Sequence, residues 1–196
     1  MLADFATRRG VTFPLLSDAG SAVIKQYGIF NTTVSATNPT YGIPFPGTFI
    51  VDAKGVVTSR FFESAYQERD TITSVLVKLG AKLDVAAAKI TAPHLTLTAY
   101  ATDRDAAPGT HCSLVVDVAP GSRVHVYAPG VTGYTPIALT IDPQPALANR
   151  TGITITGTLT YQACDDKVCF TPQSVPLSWT IGLKPLDRER VKRPEP

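Results

Sequence analysis

The sequence predicts an α+β protein in which a segment of alternating helices and strands precedes an antiparallel β-sandwich. Its 196 residues, 44% of them hydrophobic, are enough to fill two small cores. Sixteen prolines and fourteen glycines against one Met and one Trp favour short strands and turns over long helices outside the N-terminal third. The hydrophobic pattern also changes along the chain, from mixed helix and strand periods before Ala86–Pro93 to apolar–polar alternation after it.

The first ten residues read as a helix, with Leu2, Phe5 and Ala6 on one face, Arg8 and Arg9 near its C-terminal end and Gly10 closing it. A short strand is expected over Val11–Leu16. Ser17 and Asp18 then sit where an N-cap belongs, and Ala19–Tyr27 is expected as a helix ended by Gly28. The run Gly42-Ile-Pro-Phe-Pro46-Gly47 leads into a strand over Thr48–Asp52, and an Ala53-Lys-Gly55 turn returns the chain along Val56–Phe62 as a hairpin. A last helix is predicted over Glu68–Leu79, with Ile72, Val75, Leu76 and Leu79 on one face and Gly80 as its stop.

These elements make a first domain over residues 1–82, and residues 83–93 read as a linker. Strands follow over His94–Thr102, His111–Ala119, Arg123–Tyr127, Pro136–Ile141, Ile153–Gln162 and Val175–Ile181, separated by Gly- or Pro-rich turns. Their number and spacing suggest a sandwich over residues 94–183. Residues 184–196 mix Asp187 and Glu189 with four arginines and lysines beyond Lys184 and offer nothing apolar after Val191, which predicts a solvated, disordered tail.

Charge excludes some classes of partner. Eighteen basic and sixteen acidic residues leave a net charge of +2, and no basic block precedes the tail, so no nucleic-acid partner is expected. No apolar run approaches the roughly 20 residues of a membrane span. The N-terminus lacks the charged-then-apolar order of an export signal. Phosphate loops, dinucleotide-binding glycine patterns and nucleophile elbows are missing from the sequence, and no cofactor is expected. His94, His111 and His125 are too dispersed to form a ligand motif, so no metal is expected either.

The strongest chemical signal is Thr-Tyr161-Gln-Ala-Cys164-Asp-Asp-Lys-Val-Cys169-Phe170-Thr-Pro-Gln. If its flanks pair as antiparallel strands, Cys164 and Cys169 stand opposite each other at a cross-strand Cα separation of about 4.5 to 5.5 Å, within disulfide range. The pair can then open and close with little backbone movement. A ring this short contributes little by loop entropy, which points away from a purely structural staple. A static disulfide and an inert reduced pair remain as alternatives. Asp165 and Asp166 should raise the thiol pKa values and Lys167 should lower them. Tyr161 and Phe170 flank the pair as candidate partner-binding or shielding residues, with plain core packing as the alternative. Cys112, in an alternating strand, reads as a buried inert thiol.

Two resemblances extend this reading. Phe13-Pro-Leu-Leu-Ser-Asp18, Tyr27-Gly28 and Pro46-Gly-Thr-Phe-Ile-Val-Asp-Ala-Lys-Gly55 make residues 1–82 similar to the C-terminal half of a redoxin or peroxiredoxin-like domain of the thioredoxin superfamily. The resemblance implies a cis peptide bond before Pro46 and a place for Pro46 at a partner-binding site. It also implies a catalytic cysteine in the half of the fold that this chain lacks, since no cysteine precedes Cys112. The segment therefore reads as a truncated domain. Peroxidase activity is not expected, and the Thr48–Val51 strand should expose an unpaired edge.

Pro120-Gly-Ser-Arg-Val-His-Val-Tyr-Ala-Pro129 and the Tyr161–Ser178 stretch resemble the N-terminal periplasmic domain of the transmembrane thiol-disulfide interchange reductase, an immunoglobulin-like sandwich. That resemblance implies that Cys164 and Cys169 are catalytic and exchange disulfides, that a thioredoxin-like or redoxin domain is the electron partner, that disulfide-bearing proteins are the substrates, and that the site is extracytoplasmic. The segment Ile141–Gly152 is short for the cap this family folds over its cysteines, leaving the cap missing or supplied by Gly130–Thr135. The expected function is an antioxidant-type thiol-disulfide oxidoreductase or redox relay. The competing expectations are a non-catalytic binding module with a structural disulfide, and a peroxidase subunit without its nucleophile.

Overall fold

A computed structural model describes residues 2–63, 68–144 and 150–186. The chain divides into two compact units, Met1–Glu68 and Arg69–Pro196.

The first unit begins with α1 (Leu2–Arg9), whose Asp4 and Arg8 form an i,i+4 ion pair at 2.6 Å and sit at the ends that the helix dipole favours. No strand forms over residues 11–16. Helix α2 (Ala22–Gln26) starts later than predicted because Gly20 and Ser21 are left-handed, at φ 85° and 59°, while Asp18, the expected cap, accepts the N–H groups of Val23 and Ile24 at 3.2 and 2.8 Å. Strands β1 (Gly47–Val51) and β2 (Val57–Phe62) form the expected antiparallel hairpin, with Thr48 opposite Phe61 and Ile50 opposite Ser59. Asp52 shapes its turn by accepting from the N–H groups of Lys54 and Val56, and Gly55 supplies the left-handed residue at φ 80°. Among the described residues β1 pairs with β2 alone, so its other edge is open.

One expectation fails here. No peptide bond among the described residues is cis, so Pro46 follows a trans bond. An X-Pro bond favours trans by about 0.5–1 kcal/mol unless packing imposes the other isomer. The trans form already satisfies the local demands: Pro46 is buried and its carbonyl accepts the Glu63 N–H at 2.9 Å.

The second unit contains β3 (Arg69–Asp70), α3 (Ile72–Lys78), β4 (Ala88–Ala92), β5 (Leu95–Ala101), β6 (Asp105–Ala106), β7 (Thr110–His111), β8 (Leu114–Pro120), β9 (His125–Val126), β10 (Ala138–Ile141), β11 (Gly152–Tyr161), β12 (Ala163–Cys164) and β13 (Gln173–Leu183). The helix predicted from Glu68 starts only at Ile72, because Thr71 is its N-cap and accepts the Ser74 N–H at 3.1 Å. Arg69 and Asp70 pair instead with β7.

Polar contacts tie α3 to the second unit. The Asp103 carboxylate accepts the hydroxyls of Thr71 and Thr73, each at 2.6 Å, and the Ser74 and Ser113 hydroxyls meet at 2.7 Å. The division between units therefore falls after Glu68, where the sequence suggested residue 82. Residues 88–92, expected within a linker, are strand β4, because alternating Lys89, Ile90 and Thr91 pair with Thr98, Leu97 and Thr96 of β5. The predicted tail is described only to Leu186, so its expected disorder lies outside the described residues.

Two sheets share one core. One runs β4-β5-β8, and the other β10-β11-β13-β6, with β6 parallel to β13 and the remaining pairs antiparallel. Alternate residues carry the packing: Leu95, Leu97 and Ala99 of β5 meet Leu159 and Tyr161 of β11 and Val175, Leu177 and Trp179 of β13. Burying each large aliphatic side chain stabilises the fold by about 1.5–3 kcal/mol, so this cluster dominates the unit's stability. The mixed, strand-rich architecture agrees with the α+β prediction.

Candidate functional site

Beyond β11 the chain keeps its extended course for two more residues as β12, whose Ala163 and Cys164 lie opposite Val126 and His125 of β9. The loop then reverses at Asp165. Its carboxylate Oδ1 accepts the N–H groups of Lys167 and Val168 at 2.8 and 2.7 Å, and the Asp165 N–H donates to the Val168 carbonyl. This turn brings the returning strand into an antiparallel bridge in which Cys164 faces Cys169.

The two cysteines are joined as a disulfide with a Cα separation of 4.0 Å, closer than the cross-strand range anticipated. The Phe170 N–H donates to the Ala163 carbonyl at 2.8 Å, so backbone bonds hold the hairpin independently of the sulfurs. The pair is asymmetric: Cys164 is 1% exposed, whereas Cys169 faces solvent.

Tyr127 borders the exposed Cys169, and further rings pack on Tyr127 and on Phe170. The Tyr127 hydroxyl lies 3.9 Å from the Cys169 Sγ, and the His125 Nε2 lies 3.3 Å from that hydroxyl. Tyr134 stacks on Tyr127 with ring centres 4.1 Å apart, and His94 stacks on Phe170 at 3.7 Å. Gln162 fastens this wall, its side-chain oxygen accepting the Thr135 N–H and its amide donating to the Phe170 carbonyl. The segment Gly130–Thr135 thus contributes the Tyr134 ring beside the pair. Of Ile141–Gly152, residues 145–149 lie outside the described residues.

Electrostatics distinguish the groups. The two loop N–H groups hold the Asp165 carboxyl below its ordinary value, against a smaller upward push from burial, and His94 and His125 lower it further. Partial burial pushes the Tyr127 phenol up, reinforced by Tyr134. The Cys112 thiol is half-buried and unpaired, and burial, then Asp103, raise its pKa, so it stays a thiol near neutral pH.

The predicted residues separate into three places. Cys164, Cys169 and Phe170 come together at the hairpin. Tyr161 is fully buried in the core and its hydroxyl donates to the Pro93 carbonyl at 2.7 Å, so it offers no surface to a partner. Pro46 lies buried in the first unit. Sequence reasoning weighed His125 only as a metal ligand and gave no role to Tyr127, Tyr134 or Gln162. The signal available for the first two was the i,i+2 spacing of His125 and Tyr127 in a strand, which places them on one face.

A groove of about 900 Å³ elsewhere in the second unit, between Ala106–Thr110 and Leu183–Leu186, contains neither cysteine nor histidine. Among the described residues no helix is long and apolar enough to cross a membrane.

Residues 1–60 match the family model of the AhpC/TSA family, which supports a redoxin-type, thioredoxin-superfamily segment at the N-terminus. Neither the curated proteins nor the solved structures contain a match to the chain.

Proposed function

We propose that this chain is a thiol-disulfide oxidoreductase or redox relay in which Cys164 and Cys169 cycle between disulfide and dithiol. The observation that carries the reading is the asymmetry of the pair, one sulfur buried and the other open to a partner, on a hairpin that backbone bonds hold without it.

Exchange then has a defined order. A partner thiolate attacks Cys169 Sγ, the Cys164–Cys169 bond breaks, and Cys164 Sγ leaves with the electron pair. The partner's second thiolate next attacks the partner sulfur of the mixed disulfide, releasing Cys169 as a thiolate and the partner as a disulfide. Run backwards, the same steps reduce a disulfide-bearing protein.

The redoxin-type segment at residues 1–60 supports thiol chemistry. The resemblance of residues 94–182 to the reductase's periplasmic domain suggests the finer terms of the proposal: an immunoglobulin-like sandwich, a thioredoxin-like electron partner, disulfide-bearing substrates and an extracytoplasmic site, where disulfides persist. Peroxidase activity is not proposed, because no cysteine lies in the matched segment.

The deciding experiment is the redox equilibrium of the pair in glutathione buffers, read by alkylation and mass in a Cys112→Ser background. Exchange predicts a potential near or above the glutathione range of about −220 to −260 mV, and a value below about −300 mV sinks it. The low value would mean a structural staple, with which the deep burial of Cys164 agrees, and would favour the alternative of a non-catalytic binding module.

A further inference from the structure

We infer that Tyr127 is a catalytic residue of this exchange: its hydroxyl donates a hydrogen bond to the Cys169 sulfur and stabilises the thiolate that this sulfur becomes, with His125 orienting the hydroxyl. The inference rests on the exchange reading above and adds the group that meets the developing charge.

The donor is fixed by chemistry. A disulfide sulfur carries no hydrogen, so across the 3.9 Å between Tyr127 Oη and Cys169 Sγ only the hydroxyl can donate. Toward a neutral disulfide this bond is weak. When Sγ leaves as a thiolate it becomes charge-assisted, shorter and stronger, which is the differential stabilisation that accelerates a step.

His125 and Tyr134 both bond to this hydroxyl, and His125 sets whether its proton is free to point at sulfur. With the hydroxyl hydrogen directed at sulfur, Tyr127 Oη can only accept from His125 Nε2 at 3.3 Å, which requires the Nε2–H tautomer or the imidazolium. The remaining contacts hold the ring. Tyr134 stacks on it with planes 14° apart, the His125 ring stands against it edge-on at 89°, and the Tyr127 carbonyl accepts the Ile137 N–H at 2.8 Å. Gln162, bonded to Thr135 and Phe170, links Tyr134's segment to the cysteine hairpin.

The electron count needs nothing further. Cys169 Sγ leaves with the electron pair of the mixed disulfide as the partner's own disulfide forms, and in the reverse direction the same thiolate is the nucleophile. Tyr127 keeps its proton throughout. Its phenol sits above the ordinary value through burial and Tyr134, in agreement with a donor that does not ionise near neutral pH.

The test uses the full chain with Cys112→Ser, opened by dithiothreitol and alkylated with iodoacetamide from about pH 5 to about pH 9, with Cys169 modification read by peptide mass. Tyr127→Phe should slow alkylation near neutral pH roughly tenfold and raise the Cys169 midpoint by about one unit. His125→Ala should slow it roughly threefold, with His125→Gln recovering much of the loss by restoring a donor to the phenol oxygen. Tyr161→Phe, which removes a core hydroxyl, should leave the midpoint unchanged. An unmoved midpoint in Tyr127→Phe overturns the assignment, as does an equal rise in Tyr161→Phe, which would mark general loosening. Dithiothreitol opens a static disulfide too, so failure here leaves exchange standing, whereas failure of the glutathione experiment removes exchange itself.

Discussion

The hydroxyl of Tyr161 donates to the carbonyl of Pro93 at 2.7 Å, tying the end of β11 to the turn between β4 and β5. Tyr161 packs its ring among Leu97, Leu159 and Leu177 and brings its one polar atom to a carbonyl outside the β-ladders. A fully buried phenol without this partner would carry an unpaid desolvation cost.

Tyr161→Phe should therefore destabilise the chain by about 1–2 kcal/mol while leaving the proposed disulfide exchange of the cysteine pair unchanged. Urea unfolding followed by the single tryptophan, Trp179, would measure the first effect, and glutathione exchange the second. Loss of exchange at unaltered stability would return Tyr161 to the partner surface.

Asp103 should make the attachment of α3 acid-sensitive. Partial burial pushes its carboxyl up, but hydroxyl bonds from Thr71, Thr73 and Thr102 outweigh this and hold it below its ordinary value. A folded pKa depressed below the unfolded one contributes stability above about pH 4, and that stability is lost as pH falls through the folded value. Asp103→Asn should cost about 1 kcal/mol at neutral pH, screened because the site is part-exposed, and should flatten the acid limb of stability. Urea midpoints at neutral pH and near pH 3 would show it. An equally steep acid limb in the variant would assign the sensitivity elsewhere.

Gly157 is required by close approach of the backbone. A Cβ there would lie 2.5 Å from the Thr140 carbonyl oxygen of β10 and 3.1 Å from Ile141 Cδ1. Gly157→Ala should push β10 from β11 at a cost of about 1–3 kcal/mol. Hydrogen exchange should quicken at residues 138–141 while β13, on the other side of β11, stays protected.

The two units should differ in local stability. In the first, the buried described residues are Ser21, Asn31 and Pro46, whereas Phe13 and Leu16 are exposed and one edge of β1 is open. The large buried apolar side chains lie between Leu95 and Ile181. Limited proteolysis of the whole chain should cut within residues 2–63 well before it cuts residues 88–183. Comparable cleavage rates would mean that the first unit has stabilising contacts of its own.

Local pattern was enough to recognise the β1–β2 hairpin, because Asp52 and Gly55 encode its turn chemistry within four residues. The long strands were legible for a similar reason, since alternation in Leu95–Ala101 and Gln173–Leu183 reports a half-buried sheet directly. Helix starts were less legible. Thr71 caps α3 where Glu68 looked like its first residue, and although Asp18 caps α2 as expected, the left-handed Gly20 and Ser21 delay its start to Ala22.

By itself the sequence indicated that Cys164 and Cys169 stand opposite each other if their strand-like flanks pair, a condition that the structure meets. It also determined that the second half of the chain would be a sheet protein, because alternation is a property of neighbouring residues. Only the tertiary structure decided which sulfur faces solvent, that Tyr161 belongs to the core, that α3 joins the second unit, and that His125 and Tyr127 stand beside Cys169. Those outcomes depend on pairings such as β9 with β12, made across nearly forty positions of sequence, and no local period records them.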